Sequence, residues 1–143
     1  MPGTIKLHRV FRCPPDRLFK ALTDPAAKVK WIAPHGYVAH MHACDCRVGG
    51  SYRMSFTSLA TGESHAFGGT YLELVPSQRI RYSDTFDDPN LPGTMDVTFA
   101  LREVMGGTEL SIVQEGVPDA IPTEMCYMGW QQSLQLLQLL VEI

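Results

Sequence analysis

VGGSYRMSF, Val48 to Phe56, is the stretch that decides the fold of this chain. Two adjacent glycines, Gly49 and Gly50, permit a tight reversal or bulge that residues with a Cβ resist. The segment after them alternates. Tyr52, Met54 and Phe56 share one face of a strand, and Ser51, Arg53, Ser55 and Thr57 share the other. The apolar face carries aromatic and thioether groups as well as bulk, which suits an adaptable cavity wall as much as a closed core.

Working outward, the pattern stays β from residue 37 to 117. Strands are expected near 37–47, 50–58, 65–75, 79–86, 94–104 and 108–115, separated by glycine-rich breaks that suit antiparallel hairpins. Upstream, residues 4–12 alternate weakly and predict a first strand. Pro14 and Pro15 then open a short helix with a stripe of Leu18, Phe19 and Leu22. Thr23 or Asp24 caps a second short helix running toward Trp31. Downstream, Pro118 and Pro122 end the sheet, and a helix runs from Thr123 to the end of the chain. Trp130, Leu134, Leu137 and Val141 recur at helical spacing, with Leu136, Leu139 and Leu140 broadening the stripe. The fold class is therefore α+β: a curved antiparallel sheet whose apolar face must be covered, with the C-terminal helix the only element long enough to do so, and two short helices after the first strand.

The totals set limits. The 143 residues suit one domain, 1–143, with a real core. A net charge of −3 without a basic run gives no reason to expect nucleic acid or an acidic membrane. The N-terminus lacks the apolar segment of a signal peptide and no stretch is long enough to span a bilayer, so a cytoplasmic protein is expected. Cys13, Cys44, Cys46 and Cys126 read as reduced thiols. Cys44 and Cys46 would point the same way on one strand, a poor geometry for a bridge.

Five motifs, in register, carry a resemblance that covers essentially the whole chain. They are Leu22-Thr23-Asp24-Pro25 followed by Trp31; RVGGSYRMSF at Arg47 to Phe56; FGGTYLELVPSQRIRY at Phe67 to Tyr82; GGTELSIVQEG at Gly106 to Gly116; and Gly129-Trp130. Together they resemble the helix-grip fold of the START and birch-pollen-allergen superfamily. More closely, the chain is similar to bacterial SRPBCC proteins related to the activator of the heat-shock chaperone ATPase. The resemblance implies a sheet gripping the long helix, with a cavity between them that receives an apolar or amphipathic small molecule. It does not imply one activity, because the fold also hosts polyketide cyclases and chaperone activators. Many relatives carry a tryptophan shortly after the tyrosine at position 82, where this chain has Asp84.

The inward set expected at the cavity is Tyr52, Met54, Phe56, Phe67, Tyr82, Phe86, Val97, Phe99, Leu110, Ile112 and Trp130. The alternative is that these side chains pack on one another as a closed core. Three polar residues fall in phase with the wall: Asp84 between Tyr82 and Phe86, Gln114 after Ile112, and His65 before Phe67. A carboxylate among aromatics has a raised pKa, which makes Asp84 a candidate ligand anchor or general base. Its place near a strand end, beside Asp87-Asp88, predicts instead an ordinary solvated carboxylate. His65 reads as an exposed or hydrogen-bonded strand residue before it reads as a catalyst.

The run His40-Met41-His42-Ala43-Cys44-Asp45-Cys46 holds zinc-ligand types, yet on one strand His40 and Cys46 lie roughly 20 Å apart at about 3.3 Å per residue. Zinc ligands stand about 2.0–2.3 Å from the metal, so the run predicts no metal site. No nucleophile elbow or phosphate loop is present, and no cofactor is called for.

The reading is noncovalent binding of a small hydrophobic or amphipathic molecule. Tyr52, Met54, Phe56, Phe67, Tyr82, Asp84, Phe86, Val97, Phe99, Gln114 and Trp130 are its candidate contacts. The first rival is an enzyme of polyketide-cyclase or hydrolase-like type, with Asp84 or His65 moving a proton and Tyr82 stabilising an oxyanion. The second is a chaperone-activator-like interaction module, for which the residues offer little. A homodimer stays open.

Overall fold

The computed structural model describes residues 2–143. Strand β1 (Gly3–Phe11) leads into α1 (Pro15–Thr23) and α2 (Pro25–Lys28). Six strands follow: β2 (Tyr37–Cys44), β3 (Ser51–Ser58), β4 (Ser64–Val75), β5 (Arg79–Phe86), β6 (Met95–Val104) and β7 (Gly107–Val117). Helix α3 (Thr123–Val141) ends the chain. The strands form one seven-stranded sheet in the order β1-β7-β6-β5-β4-β3-β2, antiparallel throughout. This is the helix-grip α+β architecture that the resemblance implies.

Helix α3 lies in the grip of the sheet. Trp130, Leu134, Leu137 and Val141 are buried, each contributing about 1.5–3 kcal/mol by leaving water. The stripe is narrower than expected. Leu136 is half-buried, whereas Leu139 and Leu140 face out, Leu139 being 77% exposed. They lie on the side of the helix turned from the sheet.

The turn at Gly49-Gly50 is fixed by close approach. Gly49 has φ +84°, and a Cβ on Gly50 would stand 2.0 Å from the Asp45 carbonyl oxygen. The freed backbone docks on β4: Gly49 N donates to Tyr71 O (2.8 Å) and Tyr71 N to Gly50 O (2.9 Å). Two expectations fail nearby. Strand β2 stops at Cys44, not near residue 47, and a register shift between Met41 and Ala43 breaks its alternation. Cys44 and Cys46 are thus not on one strand, yet both thiols reach the Tyr71 hydroxyl.

Helix α2 is one turn, shorter than a helix running to Trp31. The Asp24 carboxylate caps it, accepting from Ala26 N at 3.0 Å. The chain after it is held at three points. Trp31 Nε1 donates to Ala21 O (2.8 Å), Ser133 Oγ to Ile32 O (2.8 Å), and His35 N to Gln132 Oε1 (3.0 Å). Trp31 is fully buried. These contacts hang the α2–β2 connection across one end of the grip.

Candidate functional site

Between the inner face of the sheet, helix α3 and that connection lies a cavity of about 870 Å3, within the size range of small-molecule pockets. The sheet supplies Tyr52, Met54 and Phe56 from β3, Phe67 from β4, Tyr82, Asp84 and Phe86 from β5, Val97 from β6 and Gln114 from β7. Helix α3 supplies Met125, Cys126, Met128, Gly129, Trp130 and Ser133, α2 supplies Lys28, and the connection supplies Ile32, Pro34 and His35. The aromatic rings interlock. Tyr52 meets Tyr82 edge-on at 5.7 Å between centroids, and Phe56 meets Phe67 at 4.8 Å.

Three expected wall residues lie elsewhere. Phe99, Leu110 and Ile112 are buried behind the lining and not on it. Phe99 stands edge-on to both Tyr82 (5.7 Å) and Trp130 (5.9 Å). The Tyr82 and Trp130 rings that cover Phe99 line the cavity themselves, and helix α1 packs on β6 and β7.

Asp84 departs from the solvated carboxylate that its place near the strand end predicts. It is half-buried on the cavity wall, where its Oδ1 accepts from the Tyr52 hydroxyl at 2.8 Å and its carboxylate also takes the Thr85 backbone N–H. The Tyr52 hydroxyl also lies 3.1 Å from the Ser83 carbonyl oxygen. Burial pushes the Asp84 carboxyl up to about 6, against the opposing pull of the Tyr52 bond, the Lys28 charge and the Thr85 N–H. Burial first, and the Asp84 charge second, push the Tyr52 and Tyr82 phenols well above their ordinary value. Both tyrosines are therefore neutral hydrogen-bond donors at any ordinary pH.

Lys28, which the sequence reading missed, is the cation of the site. Its side chain is 2% exposed, and Nζ lies 4.6 Å from the Tyr82 ring centroid and 5.3 Å from that of Tyr52. Burial lowers its pKa, while the Asp84 carboxylate raises it. The two tyrosine faces stabilise the ammonium by cation–π attraction. A signal for it was present. Lys28 precedes Trp31 by three residues and Ile32 by four, on the inward side of a helical turn. A carboxylate in phase with aromatics also calls for a buried cation.

Gln114 lines the cavity with its polar atoms already engaged. Its Oε1 accepts from Trp130 Nε1 (2.7 Å) and Cys126 Sγ (3.2 Å), and Nε2 rests on Met95 Sδ at 3.2 Å. It sets the tilt of α3 on β7 and has little left for a ligand. His65, on β4, is exposed at the rim of the cavity, paired with Phe56 of β3. His42 Nε2 bonds Ser55 Oγ at 2.9 Å, and among the described residues no group of three or more His, Cys, Asp or Glu is arranged to hold a metal ion. No helix among them is long and apolar enough to cross a membrane.

The fold recurs in solved structures. A crystal structure of a Chromobacterium violaceum protein is 57% identical, with a TM-score of 0.98 over 100% of this chain and 99% of that one. A Rhodobacter sphaeroides protein at 24% identity (TM-score 0.83, 98% and 95% covered) and a Mycobacterium smegmatis protein at 20% (TM-score 0.80, 96% and 90% covered) share the architecture alone. No curated protein matches the chain. The family model described as "Activator of Hsp90 ATPase homolog 1-like protein" matches residues 12–142. With that match spanning nearly all of its length, the chain belongs to the family of Activator of Hsp90 ATPase homolog 1-like proteins.

Proposed function

We propose that this chain acts as one domain that binds a small hydrophobic or amphipathic molecule noncovalently between sheet and α3. The observation that carries this reading is the cavity itself. It has about 870 Å3 of space where a closed core would have none, walled by Tyr52, Met54, Phe56, Phe67, Phe86 and Trp130. Affinity comes from burying apolar ligand surface at about 25 cal/mol per Å2 before ordering costs. Met54, Met125 and Met128 let the wall adapt to shape. Native mass spectrometry of protein purified without detergent tests it. The expected result is a small apolar molecule that stays on the native chain and leaves on denaturation. A chain that is empty as purified, and that takes up no apolar compound when challenged, contradicts it.

One observation favours a second reading, a small-molecule enzyme of cyclase type. A carboxyl titrating near 6 beside a lysine is suited to moving a proton near neutral pH. In that case Asp84 is the proton-transfer group and the Tyr82 hydroxyl the oxyanion donor. His65, exposed at the rim, stands apart from their buried surroundings. Asp84→Asn then abolishes turnover of a bound polyketide-like substrate while leaving its binding intact; unchanged turnover removes this reading.

A further inference from the structure

Among the described residues the Lys28 ammonium donates no hydrogen bond, although it is almost wholly buried and lines the cavity. Its neighbours are the faces of Tyr52 and Tyr82, which accept no classical hydrogen bond, the Cys44 and Cys46 thiols, and Asp84, with which it forms no ion pair. Among the described residues no wholly buried side-chain nitrogen lacks a partner, so Nζ itself opens on the cavity; a ligand that covered it without an acceptor would leave its N–H groups unsatisfied, which is costly. The Asp84 carboxylate is already occupied by the Tyr52 hydroxyl and the Thr85 N–H. Its charge favours the ammonium against the burial that lowers the Lys28 pKa, without supplying the missing acceptor. The Tyr82 hydroxyl beside it likewise makes no hydrogen bond among the described residues. The deep end of the cavity therefore offers the Lys28 and Tyr82 donors, beside an Asp84 carboxylate already engaged by Tyr52 and Thr85. At the mouth Asp88 carries a negative charge, while Asp87 is paired with Arg53.

Granted that the cavity binds a small molecule, as proposed above, we infer that its ligand is an amphipathic carboxylic acid. The carboxylate enters first and seats on the Lys28 ammonium. The apolar body lies along Met54, Phe67 and Trp130 toward the mouth. A cationic head is repelled by Lys28, and a hydrocarbon without a head leaves the N–H groups unsatisfied. The reversed pose takes the carboxylate away from the Lys28 ammonium and sets it near Asp88.

The test uses the fluorescent apolar probe N-phenyl-1-naphthylamine, which has no charge, and its displacement by decanoate, methyl decanoate and decan-1-ol. The three competitors share one chain and differ in the head. A charge-assisted hydrogen bond predicts that decanoate displaces the probe at about tenfold lower concentration, or lower still, than the ester or the alcohol. In Lys28→Met the probe still binds and the acid loses its advantage. Should Lys28→Met fail to fold, Lys28→Gln carries the comparison, and the acid–ester difference in the unmodified chain stands independently of either variant. Equal potency of acid and ester, or an acid preference that survives at Lys28→Met, overturns the inference and leaves the cavity reading standing. Absence of any probe binding overturns the cavity reading and this inference with it.

Discussion

The Lys28 ammonium sits 4.6 Å from the centre of the Tyr82 ring, held there by a one-turn helix on one side and the middle of the sheet on the other. That pairing links two distant parts of the chain and sets the electrostatics of the cavity. Asp84, two residues along β5 from Tyr82, responds to it.

The Asp84 carboxyl titrates near 6 in the folded chain. Carboxyl-carbon NMR across pH measures it directly. Lys28→Met removes a charge that holds the value down, so the midpoint rises further. Tyr52→Phe removes the hydroxyl that stabilises the ionised form, with the same sign. A midpoint near the ordinary value of 3.8, unmoved by either change, contradicts this arrangement.

The same group gives stability a pH dependence of known sign. The folded pKa lies above the unfolded value, so the folded state binds the proton more tightly between the two. Its contribution to stability is therefore lost as pH rises from about 4 to about 6. Urea unfolding of the unmodified chain against Asp84→Asn isolates it: the unmodified chain weakens relative to the variant across that window. A difference independent of pH counts against it.

Gly129 marks an open face of α3. A Cβ there meets nothing within 4 Å, and the residue lines the cavity. Gly129→Leu fills that space and adds about 0.5–1 kcal/mol of helix propensity. The variant is expected to melt no lower than the unmodified chain in calorimetry, yet to bind apolar probes at least several-fold more weakly. Undiminished probe binding places the ligand elsewhere.

The grip on the helix is tested by two leucines. Leu137 is 0% exposed and Leu139 is 77% exposed. Leu137→Ala is expected to cost about 2–5 kcal/mol in urea unfolding, and Leu139→Ala no more than about 0.5 kcal/mol. Similar costs at both positions contradict the packing of α3.

These residues also show what the sequence carries and what it does not. Alternation at Tyr52, Met54 and Phe56 is a local property of an extended backbone, so the sheet and its inward face are readable. The helical spacing of Trp130, Leu134, Leu137 and Val141 is local too. Whether Phe99 reaches the cavity depends on the Trp130 ring of α3 laid against it, which alternation does not encode. Nor does it encode the capture of Gln114 by Trp130 and Cys126, since the partners lie on separate elements. Asp84 looked solvated because strand ends usually are. In the folded chain it stands beside Tyr52 of β3 and Lys28 of α2, elements that its own strand does not reveal. Lys28 is hard to read from the sequence because lysines are rarely buried, and its charge acts on Asp84 across 56 positions of sequence (84 − 28).

The central claim is that the space between sheet and helix is a binding site. Titration of N-phenyl-1-naphthylamine into the unmodified protein tests it most directly. The account predicts a saturable, blue-shifted rise in fluorescence with one probe per chain, weakened in Gly129→Leu. A signal that never saturates, or none at all, contradicts it.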